Sequence, residues 1–154
     1  MTDASDITLR PITSEDSEDL LAWRNDPLTR ANSRNGDAVT QQEHAAWLSR
    51  VLDDPNRQVW IGLEDEETVG TTSAVRHEDG AVEISVTVAP EARGRRRGAA
   101  LVAAAVEEAQ SLWPDAPIRA AIKQDNQASR KAFEACGFEQ VAERDGLLDY
   151  ELPR

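Results

Sequence analysis

Hydrophobic and polar positions alternate along this chain with two periods, and the change from one to the other predicts its secondary structure. Between positions 82 and 88, valine and isoleucine alternate with glutamate, serine and threonine, a period of two typical of a half-buried strand. Seven strands are predicted at residues 7–11, 58–63, 68–75, 82–88, 118–122, 138–142 and 147–152. Helix-start residues and apolar spacing predict helices beginning near Thr13, Thr40, Gly98 and Ala128, with a capping box at residues 40–43. Pro27 is expected to end the first helix, and residues 32–37 to form a polar loop.

Length and composition point to one globular domain. The 154 residues contain 40% hydrophobic residues, and no linker or repeat divides them, so we expect a single domain over residues 1–154. The longest apolar run, residues 99–106, is too short to cross a bilayer, and residues 1–6 are acidic and polar, unlike a secretory signal. A single cysteine, Cys136, excludes an internal disulfide and fits a reducing compartment, so the expected location is the cytoplasm.

The overall charge argues against two classes of partner. Seventeen basic and 29 acidic residues give a net charge of −12, which repels nucleic acid and anionic lipid. We therefore expect neither a nucleic-acid nor a membrane partner, and no bound metal. The exception is a cluster in which Arg93, Arg95, Arg96 and Arg97 fall within five residues.

The arginine cluster lies in the segment that carries most of the chemistry. From Val86 to Leu101 a strand runs into a glycine-containing loop and directly into a helix, which gathers free backbone N–H groups before a helix N-terminus. Such a loop with added arginines favours a diphosphate ligand. The alternative is a solvated basic loop or an RNA-binding run, which the net charge disfavours.

Two motifs here resemble those of the GNAT superfamily of N-acetyltransferases. Arg93, Gly94 and Gly98 match its motif A in register, with Arg96 where a glycine is usual, and a second frame over residues 95–100 also satisfies the pattern. Residues 126–138 resemble motif B almost residue for residue, from Asn126 to the Gly-Phe pair at 137–138.

The resemblance implies an α+β fold, a splayed mixed sheet flanked by helices, and an enzyme that uses acetyl-CoA as co-substrate. Acetyl-CoA would enter between the fourth and fifth strands, and the amine would attack its thioester directly. The residues that the resemblance assigns to acetyl-CoA are Val86, Thr87, Val88, Arg93, Gly94, Arg95, Arg96, Arg97, Gly98, Ala99, Asn126, Ser129 and Phe133.

Two positions bear on catalysis. Glu83 lies where many relatives have a catalytic or water-linked carboxylate, and the equally open alternative is that it faces solvent or pairs with an arginine. Phe133 holds the position of the usual motif B tyrosine, so that general acid is missing. A thiol with a pKa near 8.5 needs only modest help to leave, and positioning with a water still supports catalysis.

The first half of the chain bears on the acceptor. Residues 21–27, 40–47 and 54–56 resemble nucleotide-sugar amine N-acetyltransferases of the pseudaminic-acid type, and parts are shared with enzymes that acetylate ribosomal-protein N-termini. The resemblance suggests Arg24, Asn25, Arg30 and His44 as substrate-binding residues, although helix capping or a surface position would explain each one alone. A small amine acceptor is therefore expected, in a monomer or homodimer. A peptide N-terminus, another small amine, or a non-catalytic acyl-CoA sensor are the alternatives.

Overall fold

The computed structural model describes residues 7–33, 36–93 and 97–153, which contain seven strands and five α-helices. The strands are β1 (Thr8–Pro11), β2 (Arg57–Glu64), β3 (Glu67–Arg76), β4 (Val82–Val88), β5 (Ile118–Lys123), β6 (Glu139–Arg144) and β7 (Leu147–Glu151). The helices are α1 (Ser17–Asn25), α2 (Pro27–Asn32), α3 (Gln41–Asp53), α4 (Arg97–Leu112) and α5 (Gln127–Ala135). None of these helices is long and apolar enough to cross a membrane.

All seven strands join one mixed sheet in the order β1-β2-β3-β4-β5-β7-β6. Neighbouring strands are antiparallel except β4 and β5, which run parallel. The β4–β5 register consists only of Val82 opposite Ile118 and Glu83 opposite Arg119, after which the two strands diverge. The predicted splayed mixed sheet with flanking helices is confirmed.

Each face of the sheet buries its own apolar cluster. On one face, Val82 and Ile84 of β4 pack with Val102 of α4 and Phe133 of α5. On the other face, β2 and β3 are covered by α1 and α3, with Trp23 in the cluster. Because side chains alternate along a strand, Glu83 and Ser85 of β4 point toward the face that α1 and α3 cover.

Two glycines let α4 lie close to the sheet. A Cβ at Gly62 would sit 2.3 Å from Cδ2 of Leu101, and one at Gly70 would sit 2.3 Å from the Thr87 carbonyl oxygen and 3.0 Å from Cδ1 of Leu101. Side chains there would push α4 away or break the β3–β4 pairing. This close packing brings the start of α4 beside the end of β4.

The region after Pro27 differs from the prediction. Pro27 ends α1 but is also the first residue of a second, short helix, α2, so residue 32 is helical rather than part of a loop. The Asp26 carboxylate caps this helix by accepting the Thr29 N–H at 3.1 Å. Proline is favoured at a first helical position because its missing N–H has no partner there in any case.

Candidate active site

A cleft opens where β4 and β5 diverge, with a volume of about 1050 Å³. We call it the main cleft. It is lined by residues 83–88 of β4 and 121–123 of β5, residues 97–99 at the start of α4, and Asn126, Ser129 and Phe133 at α5. Since the pairing with β5 ends at Glu83, the later β4 backbone groups on that side have no strand partner. An extended ligand can pair with them as an additional strand.

The start of α4 supplies the polar end of the main cleft. The first N–H groups of an α-helix lack intrahelical partners and favour an anion. Gly98 contributes no side chain there, and a Cβ on it would lie 3.4 Å from the Ala132 Cβ. Asn126 caps α5 by accepting the Ser129 N–H at 3.1 Å and donates to the Ser129 hydroxyl at 3.1 Å, so both side chains lie ordered at the cleft wall.

The arginines of the cluster are engaged with protein groups as far as they are described. Arg97 donates to Glu64 Oε1 at 2.9 Å and to the Ala92 carbonyl at 2.9 Å. Arg93 pairs with Asp26. Gly94, Arg95 and Arg96, predicted to bind the cofactor, lie outside the described residues.

Phe133 occupies the position expected of a general acid, and it is buried at the wall of the main cleft. Its ring packs edge-on against Phe138, with centroids 5.0 Å apart. The fully buried Tyr150 on β7 is not among the residues lining the main cleft, and its hydroxyl donates to Glu134 at 2.8 Å. Tyr150 therefore does not replace the missing acid.

Glu83 lies at the narrow end of the main cleft, and its carboxylate contacts the His77 imidazole at 3.1 Å between Oε1 and Nε2. This contact is with a histidine, whereas the sequence suggested a base, a solvated side chain or an arginine pair. A carboxylate beside an imidazole can accept a proton and pass it on.

A second cavity of about 420 Å³ lies between the sheet and helices α1 and α3, and we call it the side cavity. Its wall includes Trp23, Arg24, His44 and Trp47. The residues that line both cavities are Thr29, Ser33, Arg57, Ser73, Ser85, Val86 and Thr87. The two cavities therefore meet along β4.

The four predicted substrate-binding residues fall into two groups. Arg24 and His44 line the side cavity. Asn25 and Arg30 are not among the residues lining either cavity. Instead the Asn25 amide exchanges two hydrogen bonds with the Val39 backbone, at 2.8 and 2.7 Å, and Arg30 donates to the Gly36 carbonyl at 3.0 Å. These two side chains therefore bind backbone groups of Val39 and Gly36.

His44 is buried, with Nδ1 3.5 Å from the Ser17 hydroxyl and its ring 5.2 Å from that of Trp47. Burial lowers the pKa of the imidazole below its ordinary value of 6.5. His44 is accordingly neutral at pH 7, able to donate from one ring nitrogen and to accept at the other.

Sequence reasoning missed Arg57, Ser73 and Ser85, which line both cavities. A signal was present for Arg57. With a period of two, it shares a sheet face with Val59, which belongs to the cluster under α1 and α3. Nothing in the local sequence showed that this end of the strand borders a cavity.

Comparison with known proteins identifies the family. The family model described as Acetyltransferase (GNAT) domain matches residues 6–139. The chain therefore belongs to the GNAT acetyltransferase family and is an acetyl-CoA-dependent acyltransferase, as the two motifs predicted. No curated protein matches this sequence. Among the described residues, no group of three or more His, Cys, Asp or Glu is arranged to hold a metal.

Several solved structures share the fold. A domain from Methanocaldococcus jannaschii is 26% identical with a TM-score of 0.81, covering 94% of this chain and 96% of that one. A ribosomal-protein-alanine N-acetyltransferase from Brucella melitensis is 27% identical with a TM-score of 0.74, covering 93% and 97%. The Campylobacter jejuni N-acetyltransferase PseH is 16% identical with a TM-score of 0.75, covering 97% and 99%. The pseudaminic-acid type is thus one similar group among several.

Proposed function

We propose that this enzyme transfers the acetyl group of acetyl-CoA to the primary amine of a small acceptor, and that the acceptor is a nucleotide-linked amino sugar. The observation that carries the proposal is the meeting of the main cleft and the side cavity at Ser85, Val86 and Thr87. A cofactor in one and an acceptor in the other bring thioester and amine together beside β4.

The main cleft suits an extended acyl-CoA. Its diphosphate would lie at the α4 N-terminus near Gly98, and its pantetheine arm along the β4 edge that β5 leaves unpaired. A backbone N–H of β4 would then stabilise the oxyanion formed at the thioester carbonyl, a contribution of about 3–4 kcal/mol for comparable donors.

The reaction needs a neutral amine. Its lone pair attacks the thioester carbon, the C–S bond breaks, and the thiolate leaves, while the attacking nitrogen gives up a proton. We assign the proton acceptor to Glu83, paired with His77. Val86 lies three positions after Glu83 along β4, a distance of about 10 Å, so the proton travels through water. The departing thiolate takes a proton from solvent, because Phe133 has none to give.

The acceptor proposal rests on sequence resemblance in residues 21–56 and on the side cavity. The fold similarity to PseH supports it, and the similarity to the ribosomal-protein-alanine enzyme supports a peptide N-terminus as the competing acceptor. Arg24 and His44 supply polar groups for either one.

The test is release of CoA thiol from acetyl-CoA with a panel of amines. The panel holds UDP-linked amino sugars, the free amino sugars, a peptide with N-terminal alanine, and a polyamine, with product masses measured for each. We expect the highest kcat/KM with a UDP-linked amino sugar. Preference for the peptide would replace the acceptor assignment. Binding of acetyl-CoA without release above buffer for any amine would contradict the transferase proposal and favour a sensor.

A further inference from the structure

Arg57 stands where the main cleft and the side cavity meet. It is the first residue of β2, half-buried, and lines both cavities. Across the sheet it is opposite Val75, which is opposite Glu83, so Arg57 and Glu83 share a row and a face two strands apart. The guanidinium is thus close to the proposed reaction path but on the acceptor side of it.

The Arg57 guanidinium is unpaired among the described residues. Its Nε is buried and without a hydrogen-bond partner there, and the described part of the chain offers it no ion pair. Several other arginines of the described chain do pair with carboxylates: Arg10, Arg93, Arg97, Arg119 and Arg144. Burying guanidinium N–H groups without an acceptor is costly. A half-buried, unpaired arginine in so acidic a protein is therefore suited to an anion that arrives with a ligand.

The charges around the side cavity agree with this. Arg24 and Arg57 line it, and Glu43 is the one carboxylate among its described lining residues. The Glu43 carboxylate is engaged in the α3 capping box, where it accepts the Thr40 N–H at 3.0 Å. That hydrogen bond lowers the pKa of Glu43. His44 is neutral. Among its described lining residues, two arginines thus face one carboxylate, in a chain whose net charge is −12.

We infer that Arg57 binds an oxyanion of the acceptor, a carboxylate or a phosphate, and so selects amines that carry a negative group. This inference rests on the proposed acetyl transfer. It adds that the acceptor carries a negative charge and that Arg57 is the residue that recognises this charge. An anion held at Arg57 directs the rest of the acceptor toward Ser85 and Thr87. Polyamines and other purely cationic amines place a positive charge beside two arginines, which disfavours them.

The experiment compares matched amines that differ only in the anion. The pairs are O-phosphoethanolamine with ethanolamine, an amino acid with its carboxamide, and a UDP-linked amino sugar with the free sugar. They are assayed with wild type, Arg57→Gln and Arg57→Lys. The control is Arg76→Gln, since Arg76 is exposed and lines neither cavity. Melting temperatures establish that each variant is folded.

We expect wild type to prefer the anionic member of at least one pair by about tenfold or more in kcat/KM, the scale of one charge-assisted hydrogen bond. Arg57→Gln should abolish that preference by reducing kcat/KM for the anionic amine while changing the neutral one less than about twofold. Arg57→Lys should retain part of it, and Arg76→Gln all of it. The pair that responds identifies the anion as phosphate or carboxylate.

Calorimetry separates this inference from the proposed function. Each amine is titrated into protein saturated with CoA, which binds the acceptor without turnover. The inference is upheld if wild type binds the anionic amine more tightly than its neutral partner and Arg57→Gln loses this difference. This holds even if no amine is acetylated and the proposed reaction fails. Equal binding of anionic and neutral amines, or equal losses for both in Arg57→Gln, overturns it. A polyamine that binds more tightly than the anionic amines, with the same affinity for wild type and Arg57→Gln, also overturns it.

Discussion

The guanidinium of Arg93 pairs with the carboxylate of Asp26, 67 residues earlier in the chain. Arg93 lies in the segment that follows β4, beside the proposed diphosphate site, whereas Asp26 caps α2. Arg93 also donates to the Thr29 hydroxyl at 3.4 Å, and Thr29 lines both cavities. The pair therefore connects the cofactor end of the enzyme to the helices that cover the acceptor side.

Asp26→Asn should strengthen acetyl-CoA binding. The hydrogen bond from Arg93 lowers the pKa of Asp26, so its negative charge is present at neutral pH beside a site proposed for a diphosphate. Asparagine keeps the α2 cap and removes the charge. We expect the dissociation constant to fall by about three- to tenfold at 20 mM salt and by less than twofold at 0.5 M salt, because screening weakens exposed charge interactions.

Titration calorimetry at the two salt concentrations measures this effect. Asp53→Asn is the matched control, because it removes the same charge from an exposed residue that lines neither cavity. Weaker binding in Asp26→Asn would show that Asp26 instead positions Arg93 for the cofactor.

Gly98→Trp should abolish acetyl-CoA binding in a folded protein, whereas Gly98→Ala should retain it. A Cβ at this position meets Ala132 at 3.4 Å and Val88 at 3.7 Å, both ordinary contacts, so alanine fits. Alanine also favours helix over glycine by about 1 kcal/mol. An indole there fills the polar end of the main cleft. Calorimetry and thermal melting on both variants check the prediction. Unchanged acetyl-CoA affinity in a folded Gly98→Trp protein would show that the diphosphate does not bind beside Gly98.

The strands were predictable because they depend on local patterns, whereas the splay of the sheet was predicted only through the resemblance to the GNAT motifs. The alternation in residues 82–88 and the capping box at Thr40 correspond to β4 and the start of α3. Pro27 shows the limit of such reasoning, because the same residue can stop one helix and start the next. Here the Asp26 side chain stabilises a second helix, because it accepts a hydrogen bond from the Thr29 N–H.

The site was predictable where the motif itself forms it, and less so where distant segments meet. Gly98, Asn126 and Phe133, which the resemblance assigns to acetyl-CoA, all line the main cleft. Arg57 was not identified from the sequence, because its position between the two cavities depends on helices α1 and α3 leaving a cavity over the end of β2. Asn25 resembled a substrate residue but is bound to Val39, a pairing that no local pattern reveals.

Glu83→Gln should lower turnover by about 100-fold near pH 7, the low end for loss of an acid–base group. The amide cannot accept a proton from the attacking amine. The deficit should shrink as pH rises toward the pKa of the acceptor amine, since more of the amine is then already neutral. Steady-state kcat/KM from pH 6.5 to 9.5 measures it, with exposed Glu108→Gln as control. A loss that is constant over this range would indicate a positioning role only.

His44 should make stability depend on pH. Burial lowers its pKa in the folded state, so the unfolded chain binds this proton first. The His44 contribution is therefore fully present above the unfolded value of about 6.5 and is lost as pH falls through the folded pKa. Urea unfolding at pH 7.5, 6.5 and 5.5 should show a smaller decline in His44→Gln than in wild type. Equal declines would mean that His44 is protonated without penalty in the fold.

Phe133→Tyr should restore part of the missing acid. The ring is buried at the cleft wall and packs edge-on against Phe138, so the added hydroxyl leaves that contact unchanged and acetyl-CoA affinity within about twofold. With a proton donor beside the leaving thiolate, release of CoA in a single turnover should accelerate by about three- to tenfold. The gain is far below the roughly 100-fold of a full general acid, because a thiol of pKa near 8.5 already leaves readily.

The control for Phe133→Tyr is Phe138→Tyr, which adds the same hydroxyl to a buried ring that is not among those lining the main cleft. It should lower stability, because the new hydroxyl is buried, without raising the rate of release. Rapid-mixing measurements of thiol release at pH 7 and pH 9 compare the two variants. The advantage of Phe133→Tyr should be largest at pH 7, since at pH 9 the thiolate is the stable species and protonation no longer helps. An equal rate in wild type and Phe133→Tyr at both pH values would show that departure of the thiolate does not limit the reaction.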